Sequence, residues 1–144
     1  MREEDFKIQN IYTFSPAEVR GTGAHLDDIQ LPLLLALHRF RKTLRRRVVL
    51  LPNGMTTGEH TAPEHRLGLA ADIAFIEADG KVLVEYIFKA ALTAGIKGIG
   101  IYWNGSAYSV HLDLRGSFAF WSAVKKHREN NWIYAGLIID PKGD

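Results

Sequence analysis

Cysteine is missing from all 144 residues. Its absence excludes disulfide frameworks, thiolate metal sites and a cysteine nucleophile. Any metal must then be held by histidine, aspartate or glutamate, a set that suits zinc in a hydrolytic rather than a structural role. Charge of one sign is also scarce. Eighteen Lys and Arg face sixteen Asp and Glu, a net of +2. That small excess does not mark a nucleic-acid binder, although the sequence pI is about 8.9. Long apolar runs are lacking too. The longest, "LPLLLALHRF" (31–40), is interrupted by Pro32, His38 and Arg39 and is far too short to span a bilayer. The first ten residues, "MREEDFKIQN", lack the apolar core of a signal peptide. These absences predict a soluble chain made in the cytoplasm, with no membrane span and no nucleic-acid partner; a monomer is expected.

The composition that remains is that of a folded domain, 47% hydrophobic and 24% charged. The length fits one domain able to bury a core without crosslinks. No repeat or linker divides it. "SPAE" (15–18) is a helix start, with Ser15 as cap and Pro16 in the first turn. The apolar spacing of Leu31, Leu34, Leu35, Leu37 and Phe40 predicts a helix over 28–44. A buried strand follows in "RRRVVLLP" (45–52), and a second in "DIAFIEADG" (72–80). A helix over 81–95 stops at Gly95. Residues 98–116 read as a hairpin about Asn104-Gly105. A short helix over 119–127 and a last strand over 132–139 close the chain. The class is α+β, a small and mostly antiparallel sheet packed against helices.

Within this frame the chemistry-bearing residues lie in two places. His111 and Asp113 stand two apart on the second hairpin strand and so share a face, with Val110, Leu112 and Leu114 on the other. In "EHRLGLAADI" (64–73), His65 precedes Asp72 by seven positions, with Gly68, Ala70 and Ala71 between them. If the two strands are neighbours, His65, Asp72 and His111 converge as two imidazoles and a carboxylate, with a fourth position open to water. The competing reading is a surface-loop histidine, a turn aspartate and a satisfied sheet histidine.

"HRLGLAAD" together with "YSVHLDLRG" resembles the zinc D-alanyl-D-alanine carboxypeptidase family. Its superfamily includes the vancomycin-resistance dipeptidases, phage peptidoglycan endopeptidases and the hedgehog signalling domain. "FSPAEVRGTG", "LPLLLALHRFRKTL" and "AGIKGIGIYW" follow the same family order, so that the resemblance spans about residues 12–122. It implies a hedgehog/D,D-peptidase-like fold with one zinc ion held by His65, Asp72 and His111. It implies Asp113 as a catalytic proton carrier or as a partner that orients a ligand. The substrate would be a peptidoglycan peptide of the bacterial cell wall, cut at a D,D- or L,D-bond by a phage-type or exported enzyme.

Three departures accompany the resemblance. The family's Ser-Gly-Tyr-Arg stretch is replaced by "LPNGMTTGEH", without its arginine. Pro63 stands where many members have serine. Tyr108 occupies the position where some branches carry a catalytic glutamate. Arg115 is the expected substitute for gripping a substrate carboxylate. Arg66 reads as a surface charge, Glu59 and Glu64 as ordinary loop charges, and His60 as a loop histidine with no metal role. His38 reads as a helix-surface or core-edge residue, and 41–47 as a basic helix end. Trp103, Tyr108 and Trp121 line a groove or fill a core. The departures leave room for a catalytically weak zinc-bearing domain that binds cell-wall peptides or a protein partner, and for a metal-free structural domain.

Overall fold

The computed structural model describes residues 1–75, 84–125 and 131–135. Its centre is a six-stranded sheet in the order β1-β2-β4-β3-β5-β6. The strands are β1 (Val48–Leu50), β2 (Ala70–Phe75), β3 (Gly98–Trp103), β4 (Tyr108–Asp113), β5 (Ala119–Val124) and β6 (Ile133–Ala135). Every neighbouring pair is antiparallel except β3 and β5, which run parallel. The helices are α1 (Glu3–Ile8), α2 (Pro16–Gly21), α3 (Leu31–Leu44) and α4 (Val84–Thr93). The expected class, an α+β chain with a mostly antiparallel sheet, is thus present. Among the described residues no helix is long and apolar enough to cross a membrane.

Period-two alternation sorts the sheet into two faces. Ile73, Ile99, Ile101, Val110 and Leu112 join Leu33, Leu34, Leu37 and Phe40 of α3 and Ile87, Ala90 and Ala91 of α4 in one buried cluster. Asp72, His111 and Asp113 hold the alternate positions of β2 and β4 and point to the opposite face. Apolar packing on one side therefore fixes the register of the polar side, since a one-residue slip would reverse every side chain.

Local chemistry explains the element ends. Ser15 caps α2, its hydroxyl accepting from the Glu18 amide at 3.1 Å. At the end of α4, Gly95 takes φ +85°. There the Gly95 amide reaches the Leu92 carbonyl and the Ile96 amide the Ala91 carbonyl, both at 3.0 Å. In the hairpin turn, the Asn104 side-chain oxygen accepts from the Ser106 and Ala107 amides, and Gly105 takes φ +99°.

Three expectations need correction. Residues 119–124, read as a helix, form β5. Its alternate aromatic residues need the two sides of a sheet: Phe120 packs on Phe88 of α4, and Trp121 lies over Gly100 on the other face. The long helix starts at Leu31, not at 28; residues 26–28 form a separate 3-10 turn, because Pro32 suits only a first turn. The charged N-terminus, for which no element is expected, forms α1, where Asp5 accepts from the Arg2 amide at 2.7 Å and Phe6 is buried. The end of the expected second strand at 76–80, the start of the helix at 81–83, and positions 126–127 and 136–139 lie outside the described residues.

Candidate metal centre

β2 and β4 are neighbours, and their register sets Asp72 directly opposite His111. His65 comes from a 3-10 turn (Pro63–His65) that leads into β2. Gly68 makes this approach possible. At φ +71° a Cβ on it would lie 2.0 Å from the Asp28 carbonyl oxygen, so the turn closes against backbone. The His65 Nε2, His111 Nδ1 and Asp72 Oδ1 atoms meet at 3.1 Å between the imidazoles, 3.3 Å from His65 to Asp72 and 3.1 Å from His111 to Asp72.

The outer nitrogen of each ring decides what the inner one offers. His65 Nδ1 donates to the Met55 carbonyl at 2.8 Å. His111 Nε2 donates to Asp113 Oδ2 at 2.6 Å. In the neutral rings His65 Nε2 and His111 Nδ1 are therefore bare lone pairs. Two lone pairs and a carboxylate oxygen crowded together repel unless something positive sits among them. The rings are also buried, at 1% and 5% exposure, so water offers little relief.

His60 joins the same place. Its Nε2 donates to the Asn53 and Thr57 carbonyls at 2.7 and 2.8 Å. Its Nδ1 faces Asp72 Oδ2 at 3.7 Å, and its ring stacks on His65 with centroids 3.6 Å apart. One ligand atom each from His60, His65 and Asp72 fits within 4.8 Å, a group able to hold a metal ion. Expected to be a loop histidine with no metal role, His60 is instead part of this constellation. The signal that could have found it is weak: "GEHTAPEH" places two histidines five apart in a loop whose path only the fold defines.

No protein-family model, no curated protein and no solved structure matches the chain.

Asp113 is fully buried and saturated. Besides His111 it accepts from Arg115 through Nη2 at 2.6 Å and Nε at 2.9 Å, and from the Arg115 amide at 3.0 Å. Of the two roles expected for Asp113, proton carrier or orienting partner, its contacts show only that its carboxylate is held by Arg115 and accepts from His111 Nε2. Arg115 is expected at a substrate carboxylate, yet its guanidinium grips Asp113 as a fork and lies 5.0 Å over the Trp121 ring. Gly98 makes room for the pair, since a Cβ there would lie 2.0 Å from Asp113 Oδ1.

Titration follows these contacts. Burial pushes Asp72 up, but the neighbouring His111 and His65 rings outweigh it and lower its carboxyl to about 2. Burial likewise opposes ionisation of Asp113, and Arg115 and His111 outweigh it, so its carboxyl lies well below the usual range. Burial pulls His111 down, while Asp113 and Asp72 more than compensate and raise it above 6.5. Without a metal, a proton on His111 is the positive charge that the converging lone pairs call for.

The group opens into a cleft of about 970 Å³, lined by the loop 59–65, Arg115 and the aromatic residues Tyr102, Trp121, Trp132 and Tyr134. Trp121 Nε1 donates to the Tyr102 hydroxyl at 2.7 Å. Burial pushes the Tyr102 phenol up to about 12. Trp103 and Tyr108 pack on each other on the core side, so only Trp121 of the three expected aromatics faces the cleft. Because Tyr108 is buried in the core, this position offers the cleft no acid or base.

Proposed function

We propose that this chain is a zinc-dependent peptidoglycan peptidase that hydrolyses stem or cross-link peptides containing D-amino acids, with His65, Asp72 and His111 as ligands of one zinc ion. The observation that carries the reading is the meeting of two bare imidazole nitrogens and a carboxylate oxygen at 3.1–3.3 Å. Zinc bonds of about 2.0–2.1 Å in a tetrahedron put ligand atoms about 3.3–3.4 Å apart. When bound, zinc would supply Lewis acidity, polarising a carbonyl and lowering the pKa of a water to about 7. The chain's own residues do the rest. The Met55 carbonyl and Asp113 fix the tautomers of His65 and His111, and Arg115 holds Asp113 in place. The aromatic wall gives an extended peptide apolar surface. Together with the "HRLGLAAD" and "YSVHLDLRG" resemblance, these features favour the cell-wall peptidase.

Zinc per chain of the purified protein tests this. About one ion in the wild type and almost none in His65→Ala and His111→Ala is expected, with release of peptide fragments from purified peptidoglycan by the wild type. A wild type that takes up no zinc after incubation with the metal would sink the reading.

His60 favours a second reading, a zinc-bearing domain that binds peptide without turnover. A fourth protein ligand would close the position that catalysis leaves to water. His60→Ala separates the two. The peptidase keeps its zinc affinity within a few-fold, whereas a closed site, losing a direct ligand, loses more than the ten- to hundred-fold typical of a partner that only orients one, as read by competition with a chelator.

A further inference from the structure

The two oxygens of the Asp72 carboxylate meet two different imidazoles. Oδ1 lies 3.3 Å from His65 Nε2, and Oδ2 lies 3.7 Å from His60 Nδ1. His60 Nε2 is engaged with the Asn53 and Thr57 carbonyls at 2.7 and 2.8 Å. In the neutral ring its Nδ1 is therefore a bare lone pair, as His65 Nε2 is. An ionised carboxylate accepts and does not donate, so lone pair faces lone pair across this gap as well. Both side chains line the cleft and are mostly covered, at 13% and 27% exposure.

The rings of His60 and His65 are stacked, with centroids 3.6 Å apart and 16° between their planes. The lone pair of an imidazole nitrogen lies in the plane of its ring. Stacked rings therefore aim their lone pairs side by side and not at one point. An ion in the plane of His65, shared with His111 Nδ1 and Asp72 Oδ1, sits beside the His60 lone pair rather than on its axis. For His60 to bind that same ion the stack would have to open, and Nε2 would have to leave its two carbonyls. The stack spaces two ions by about its own separation instead, and two-metal sites hold theirs about 3.5–4 Å apart. The 3.7 Å between His60 Nδ1 and Asp72 Oδ2 also suits an ion, since two bonds of about 2.1 Å span it at an angle of roughly 120°.

We infer that Asp72 bridges two divalent cations, with His60 Nδ1 and Asp72 Oδ2 as the protein ligands of a second metal site that faces the cleft. An imidazole nitrogen with a carboxylate oxygen suits a zinc-like ion rather than magnesium or calcium, which take oxygen ligands. The remaining positions fall to water or substrate. With two protein ligands against three, the second site fills after that of His65, Asp72 and His111 and empties before it. The inference rests on the metal-binding part of the function proposed above.

Zinc per chain tests it, measured after dialysis of the full chain at limiting and at excess free metal. The wild type should rise from about one ion to about two, while His60→Ala should stay at about one under both conditions. Retention of the first ion by the variant shows that its fold and first site are intact. A second ion that persists in His60→Ala, as adventitious binding to surface histidines would give, would overturn the inference. So would fewer than two ions in the wild type at excess metal, the outcome if a water and not a cation joins His60 Nδ1 to Asp72 Oδ2. Cobalt(II) in the wild type adds a readout of the bridge itself. Ions that share a carboxylate couple magnetically, so the electron paramagnetic resonance signal at two equivalents should fall well short of twice that at one. A doubled signal would show two unconnected ions and overturn the bridge. Two ions with no release of fragments from peptidoglycan would sink the peptidase reading alone, and one ion with release would sink the second site alone.

Discussion

At the residue scale, the shared outward face of His111 and Asp113 was legible because a strand alternates. Val110 and Leu112 had to face a core, so His111 and Asp113 had to face away. The Met55 carbonyl that fixes His65 and the His60 ring that stacks on it were not legible. They depend on the path of loop 51–60, where the Asp72 amide donates to the Gly54 carbonyl at 2.7 Å. Asp113 is the residue whose role the geometry sharpens most. Asp113→Asn keeps the shape but weakens the acceptor for His111 Nε2–H and leaves Arg115 partly uncompensated. Its zinc affinity should fall about ten- to a hundred-fold in chelator competition, as for other partners that orient a metal-binding histidine. An unchanged affinity would assign Asp113 to the fold alone. Gly98→Ala attacks the same pair from across the sheet. Its Cβ would lie 2.0 Å from the Asp113 carboxylate, which cannot yield without breaking its contacts to Arg115 and His111. The expected cost is on the order of 3 kcal/mol in chemical denaturation, the range for a disrupted buried ion pair.

At the element scale, the hairpin and the ends of α2 and α4 were readable because their signals are local: a serine cap, an Asn-Gly turn and a glycine stop. β5 was not. "AFWSAV" (119–124) has enough alanine to suggest a helix, and what makes it a strand is non-local. β3 leaves one edge open beside β4, and Gly100 leaves a recess that the Trp121 ring fills. Tertiary context overrode propensity there. The local kind of signal has its own test at the end of α4. Gly95 sits at φ +85°, and a Cβ added there would meet nothing within 4 Å. Gly95→Ala should therefore cost only the conformational penalty, about 1 kcal/mol, and leave zinc content untouched. A cost near that of Gly98→Ala would show that this helix end carries packing that the geometry does not reveal.

At the scale of the whole molecule, the centre makes stability depend on pH in a way that zinc should reverse. Asp72 is depressed to about 2 from an ordinary 3.8, so its contribution is present above the ordinary value and is lost as pH falls through about 2. Asp113 acts in the same direction. His111 is raised above 6.5, so its contribution is complete below that value and is lost as pH rises through its folded value. As far as these groups decide it, the metal-free protein is most stable between about pH 4 and pH 6.5 and weakens toward alkaline pH. The proposed zinc would require neutral imidazoles and would replace the proton as the positive charge, so its stabilisation should grow as pH rises through the same range. Denaturant midpoints at about pH 5.5 and pH 8 should thus fall with pH for the metal-free chain, while the gap between zinc-loaded and metal-free protein widens. His111→Ala should remove the His111-linked loss above pH 6.5 and the zinc-dependent gap together, because one nitrogen serves both the proton and the metal. If zinc stabilised the wild type equally at both pH values, the ion would be bound away from His111, and the meeting of lone pairs would have to be explained by the proton alone.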